Sequence, residues 1–77
     1  MVLKIISAEK IEFEGNVEQV TLPGVAGKFQ VLNNHAAIVA ALAPGSLSWT
    51  ADGANAERQI AGGVADVKNN VVSVCLY

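Results

Sequence analysis

Short runs of alternating apolar and polar residues fill this chain, and turn-forming residues interrupt them every few positions. Val2, Leu3, Ile5 and Ile6 predict an opening strand. Ile11-Glu12-Phe13-Glu14 alternates strictly. Gly15-Asn16 then predicts a tight two-residue turn, with Val17-Glu18-Gln19-Val20-Thr21-Leu22 returning as the second arm of a hairpin. Glu18 and Thr21 are the expected wet positions of that arm, although Gln19 breaks strict alternation. Further strands are predicted at Lys28-Phe29-Gln30-Val31, Leu47-Ser48-Trp49-Thr50 and Arg58-Gln59-Ile60-Ala61. The last two are Val64-Ala65-Asp66-Val67 and Val71-Val72-Ser73-Val74-Cys75. Asp52-Gly53 and Lys68-Asn69-Asn70 read as turns, because Gly and Asn tolerate left-handed backbone.

Ile38 to Leu42 is different, being apolar at every position. Alanine favours helix, but Pro44-Gly45 ends the run within two turns, so a strand is predicted. A strand without a polar side is expected to be covered on both faces. The only two prolines both precede glycine, at Pro23-Gly24 and Pro44-Gly45. Such pairs predict turns, with Pro presetting φ at one corner and Gly accepting positive φ at the next. Gly27 adds a break, and Gly62-Gly63 a break or bulge where backbones approach closely. The sum is about nine short strands and no helix beyond two turns. That is an all-β chain, a compact β-sandwich or flattened barrel.

Composition narrows the picture. A length of 77 residues permits one domain, spanning 1–77. A chain this short buries about 60% of its unfolded surface. A partner is the expected source of extra support. Cys75 is the only cysteine, so no internal disulfide can form. One His and one Cys do not suggest a metal site. The longest apolar run, Ala36 to Ala43, falls far short of the ~20 residues a membrane helix needs. No secretory signal opens the chain. With the free thiol, this points to the cytoplasm. Net charge is −2, and the five basic residues are scattered, which gives nucleic-acid binding no support.

Candidate chemistry is thin. His35 lies in a polar tip, Asn33-Asn34-His35, with no nucleophile elbow or oxyanion loop elsewhere in the chain. Local hydrogen bonding that orients the loop backbone is its expected role. Cys75, set among valines, reads as a small core residue. Gly24-Val25-Ala26-Gly27-Lys28 is too short for a phosphate loop, and neither a Ser or Thr nor a helix follows the lysine. Lys68 near a hairpin tip admits a lipoyl- or biotinyl-type carrier domain as an alternative. Another is a free-standing β-sandwich binding module. No catalytic residue, cofactor or metal ligand is expected.

The order of motifs resembles a known family, and the resemblance spans nearly the whole chain. It runs from I-I-S-A-E-K-I-E-F-E-G-N-V-E-Q-V, through L-P-G-V-A-G-K-F-Q-V-L-N-N-H-A and A-L-A-P-G-S-L, to I-A-G-G-V-A-D-V-K-N-N-V-V-S-V. These segments resemble the epsilon subunit of bacterial F-type ATP synthases. The family often has Gly at Gln30, Pro at Asn33 and Ala37, and Phe at Val64. The resemblance implies a ten-stranded sandwich in the ATP synthase rotor. It implies a non-catalytic subunit that binds the gamma subunit and the c-ring and couples rotation to ATP synthesis. It would sit on the cytoplasmic face of the bacterial plasma membrane and be monomeric when isolated. By the same resemblance Val25, Ala26, Gly27 and Lys28 face the c-ring, and Asn33, Asn34 and His35 face gamma. Many relatives carry an acidic residue at Lys28. Members usually add a C-terminal helical hairpin that binds ATP and restrains hydrolysis. These residues match only the sandwich, so neither property is expected of them.

Overall fold

A computed structural model describes all residues, Met1–Tyr77. Nine strands form: β1 (Val2–Ile6), β2 (Ile11–Asn16), β3 (Gln19–Gly24), β4 (Gly27–Leu32), β5 (Ile38–Leu42), β6 (Gly45–Ala51), β7 (Ala54–Ile60), β8 (Gly63–Lys68) and β9 (Val71–Leu76). They pair in the order β2-β1-β9-β8-β5-β3-β6-β7, with β4 on the other side of β3. A single residue pair, Gly24 opposite Leu42, joins β3 to β5. The sheet folds over at that corner. One layer is β2-β1-β9-β8-β5, and the other is β7-β6-β3-β4. All pairs are antiparallel except β1 with β9.

Alternation supplies the core, since residues two apart on a strand share a face. Leu3 and Ile5, Val72 and Val74, and Ala65 and Val67 point inward from one layer. Val20 and Leu22, Val31 and Leu47 meet them from the other. Each fully buried Leu, Ile or Val contributes roughly 1.5–3 kcal/mol relative to exposure.

Several expected turns lie elsewhere. Gly15 and Asn16 belong to β2, which pairs with β1 rather than β3. The hairpin before β2 turns at Ser7–Lys10, closed by Ser7 N–H donating to Lys10 O at 2.9 Å. After β2 the chain crosses between layers. Val17 N–H bonds Met1 O in one layer, and Glu18 N–H bonds Thr50 O in the other. Val17 and Val20 are both buried, three residues apart, because the chain bends between them. The break in alternation at Gln19 marks this crossing.

The Pro-Gly pairs make close contacts instead of φ-positive corners. Neither Gly24 nor Gly45 has positive φ. A Cβ on Gly24 would lie 2.7 Å from Gly27 O, and one on Gly45 3.1 Å from Pro23 Cβ. Pro23 sits where the partner of β3 changes from β6 to β5. Its missing N–H falls where the ladder is interrupted, while its carbonyl accepts from Ala43 N–H at 2.8 Å. Gly62-Gly63 is a close approach as expected: a Cβ on Gly63 would lie 2.3 Å from Cys75 O. Asp52-Gly53 and Asn69-Asn70 have positive φ at both residues, which suits tight hairpin turns.

At one side the edge strands of the two layers, β2 and β7, meet. The β1–β2 register shifts between Ile5 and Ile6, leaving Glu12 as the extra residue of a bulge. Arg58 of β7 donates to both Glu12 oxygens, Nε to Oε1 at 2.6 Å and Nη2 to Oε2 at 3.0 Å. Phe13 and Trp49 pack beside this pair, with ring centroids 4.9 Å apart. The Arg58 hydrogen bonds hold the Glu12 carboxyl below its ordinary value of 4.5, against the opposing effect of desolvation.

A lowered folded-state pKa stabilises above the unfolded value, and that stabilisation is lost as pH falls through the folded one. Glu12→Gln should therefore melt below wild type at neutral pH. The gap should close as the solution is acidified below about 4.5. Thermal melts across pH check this; a gap that stays constant into strong acid would contradict it.

Candidate interaction surfaces

Two exposed loops stand at opposite ends of β4. Val25 and Ala26 are the two central residues of the β3–β4 hairpin, whose closing pair is Gly24 and Gly27. Gly27 has φ of 133°, a conformation side chains rarely adopt. The tip is pinned to β5 by Val25 N–H donating to Ala41 O at 3.0 Å. Val25, Ala26, Gly27 and Lys28 are all exposed. No ion pair engages Lys28; the two in the structure are Lys4–Glu14 and Arg58–Glu12.

Asn33, Asn34 and His35 follow the far end of β4. Asn33 Oδ1 accepts from the N-terminal amine at 3.0 Å. Asn34 has φ of 61°, and its N–H donates to Asn70 Oδ1 at 2.8 Å. His35 N–H returns to Leu32 O at 3.2 Å, and its Nδ1 donates to the Ala36 carbonyl at 2.7 Å. The tip is thus fastened to the N-terminus and the β8–β9 turn. His35 makes the local bond to backbone that was expected of it. The six-residue β4 holds the two loops about 17 Å apart, at about 3.4 Å per residue.

The remaining surface is divided. On the β7-β6-β3-β4 layer, polar side chains satisfy one another. Gln30 bonds Gln19, Gln19 bonds Thr50 at 3.0 Å, and Thr50 bonds Asn55 at 2.7 Å. The other layer carries a band of apolar residues. Register aligns Ile11, Ile6, Cys75, Val64 and Ala41 across all five strands. Cys75 is exposed in this band, not buried in the core, because Val72 and Val74 take the inward positions of β9.

The expectation that β5 is covered on both faces also fails. Only Leu42 of this strand is buried, and Val39 is 71% exposed. β5 lies at the open side of the sandwich, where nothing in the chain reaches past it. A groove of about 550 Å³ runs there between β5 and the hairpin tip, lined chiefly by Val25, Phe29, Ile38 and Val39. Sequence reading missed this groove. Its signal was the fully apolar run itself, which was assigned to the interior.

No cluster of three or more His, Cys, Asp or Glu side chains gathers at either loop. No helix of the structure is long and apolar enough to cross a membrane. What these surfaces offer is contact. The family model for the beta-sandwich domain of the ATP synthase delta/epsilon chain matches residues 1–76. The chain belongs to that family. An ATP synthase epsilon chain of Nitrobacter winogradskyi is 44% identical over 70 residues, covering 91% of this chain and 52% of the relative. One of Rhodopseudomonas palustris is 43% identical over a stretch of the same length. The chain therefore spans about half the length of the curated relatives it matches.

Among solved structures, a chain of the Euglena gracilis mitochondrial ATP synthase, in an assembly of OSCP, F1 and c-ring, superimposes with a TM-score of 0.93. It is 26% identical, and the match covers 99% of this chain and 49% of that one. A chain from the central stalk and c-ring of the Tetrahymena thermophila enzyme shares the fold, with a TM-score of 0.83 at 15% identity. Lys68, the candidate carrier lysine, is exposed at the end of β8 and precedes the Asn69-Asn70 turn rather than crowning it. The family membership displaces the carrier reading.

The loop geometry separates two substitutions. His35→Ala removes an exposed ring and should change unfolding free energy by less than about 0.5 kcal/mol. Asn34→Val forces a β-branched residue into left-handed backbone and should cost about 1–2 kcal/mol. Urea titrations of both variants check this ordering.

Proposed function

We propose that residues 1–77 form the epsilon-type N-terminal sandwich of an F-type ATP synthase rotor. In this role the chain binds gamma and rests on the c-ring. It couples ring rotation to ATP synthesis without bond chemistry of its own. The observation that carries the reading is the family match over residues 1–76. The likeness to a chain in an F1/c-ring assembly supports it. The association is peripheral, on the cytoplasmic face of the bacterial plasma membrane, through the complex.

The surfaces suit this role. A torque-bearing part needs a stiff body with separated attachment points, and β4 spaces the two loops rigidly. Val25, Ala26, Gly27 and Lys28 meet the polar loops of the c-ring. Asn33, Asn34 and His35 meet gamma, together with the exposed apolar residues that follow them on β5. Because Asn33 and Asn34 are engaged in bonds within the chain, their part is to hold the loop's shape for the partner. Co-purification of the chain with gamma tests the reading; failure to associate with gamma and c-ring together would overturn it.

Lys28 provides the sharper test. It is exposed and unpaired, so Lys28→Glu should alter stability by no more than about 0.5 kcal/mol. Against a carboxylate on the c-ring the same reversal should weaken binding. The loss should shrink as salt rises, since exposed charges are screened and act largely through the association rate. Binding to a gamma–c-ring assembly at low and high ionic strength measures both. Equal affinity of mutant and wild type at low salt would show that Lys28 faces no charged partner.

A further inference from the structure

The polar tip Asn33-Asn34-His35 belongs to a tight turn, Leu32 to His35, closed by His35 N–H donating to Leu32 O at 3.2 Å. Asn34, at the third position, has φ of 61°, while Asn33, at the second, keeps negative φ. That combination of signs is the type II pattern. The commoner type I turn needs negative φ at both positions. The two forms differ by a flip of the central peptide, which exchanges the faces toward which Asn33 C=O and Asn34 N–H point. Asn tolerates left-handed backbone less freely than Gly, so this turn sits in its less favoured form. Some outside group must hold it there.

Asn70 supplies that group. Asn34 N–H, the donor of the central peptide, bonds Asn70 Oδ1 at 2.8 Å, from 36 positions away in sequence. After a flip this N–H would point away from its acceptor. Asn70 is anchored in its turn: its carbonyl accepts from Val2 N–H at 3.1 Å, at the start of β1. It is half-buried, with φ of 61°. Its neighbour Asn69 has similar backbone, with φ of 53°, but is exposed, and its side chain bonds nothing in the chain.

We propose that Asn70 is a positioning residue for the rotor contact. Its Oδ1 selects the type II form of the turn at Leu32–His35, and gamma binds that form. Asn70 acts through the Asn33–Asn34 peptide, from a different turn of the chain. The inference rests on the reading that Asn33, Asn34 and His35 meet gamma, and adds the residue that sets their arrangement.

The left-handed backbone of both asparagines allows three matched substitutions. Asn70→Gly accepts the same φ without strain and removes the acceptor. Asn70→Asp keeps an acceptor oxygen in the same place. Asn69→Gly makes the same kind of change one residue earlier and leaves the bond intact. Proton NMR of the isolated chain reads the turn. Type II brings Asn33 Hα close to the Asn34 amide proton, whereas type I brings the two amide protons close. Binding to a gamma–c-ring assembly is measured beside it, with circular dichroism melts to confirm the fold. Losing one hydrogen bond's bias toward the competent form should weaken Asn70→Gly binding by about two- to fivefold. The same variant should show the type I proximity. Asn70→Asp and Asn69→Gly should keep the wild-type turn and affinity. An Asn70→Gly chain that retains type II contacts, or that flips and still binds as wild type, would overturn the proposal. So would an equal loss of affinity in Asn69→Gly, or a flipped turn in Asn70→Asp. Should the wild type fail to bind the assembly, the rotor reading falls, and the Asn34 contacts still decide whether Asn70 sets the turn.

Discussion

Every backbone N–H and C=O must find a partner or water, and a sheet that is not closed leaves two rows of them unmet. This constraint organises the molecule. Folding one sheet over at the Gly24–Leu42 corner brings β2 against β7 on one side. There the chain closes the gap with its own side chains, through Glu12 with Arg58 and Phe13 with Trp49. On the opposite side β5 and β4 diverge from the pinned hairpin tip, and none of residues 1–77 covers the gap between them. One side is sealed by charge and aromatic packing. The other stays apolar and unfinished.

The outer faces repeat the asymmetry. The Gln19, Thr50 and Asn55 face satisfies its polar groups internally. The opposite layer presents the aligned Ile11, Ile6, Cys75, Val64 and Ala41, and burying such a band in an interface releases water from apolar surface. A small sandwich with a marginal core gains stability from whatever covers that surface, because binding the folded state stabilises it. Under the proposed rotor role, folding and assembly thus draw on the same exposed residues.

Much of the fold was legible because alternation is a local signal. The strands of β1, β6, β8 and β9 and the turns at Asp52-Gly53 and Asn69-Asn70 follow directly from it. Strand partners are not local. Gly15-Asn16 looked like a hairpin turn, yet β2 pairs backward with β1, and the real sign of the layer crossing was the three-residue spacing of Val17 and Val20. The Pro-Gly pairs were read through φ, whereas the backbone of Gly27 and the ring of Pro23 demand glycine for space. The β5 run and Cys75 misled for one shared reason. Apolar character was equated with burial inside the chain, but an apolar residue at an interface surface is equally consistent with it. The loops at Val25–Lys28 and Asn33–His35 were visible from composition and motif order. The groove between β5 and the β3–β4 hairpin depends on where β5 and β4 diverge, which no short window of sequence contains.

β5 has one paired side and one open side beyond Ala41. Residue-resolved amide exchange on the isolated chain tests it directly. Ala40 and Leu42 donate toward β8, while Val39 and Ala41 face the open side. An open edge should give alternation along one strand: slow exchange at Ala40 and Leu42, fast exchange at Val39 and Ala41. Uniform slow exchange through Ile38–Leu42 in the dilute monomer would mean the edge is already closed, and would contradict it.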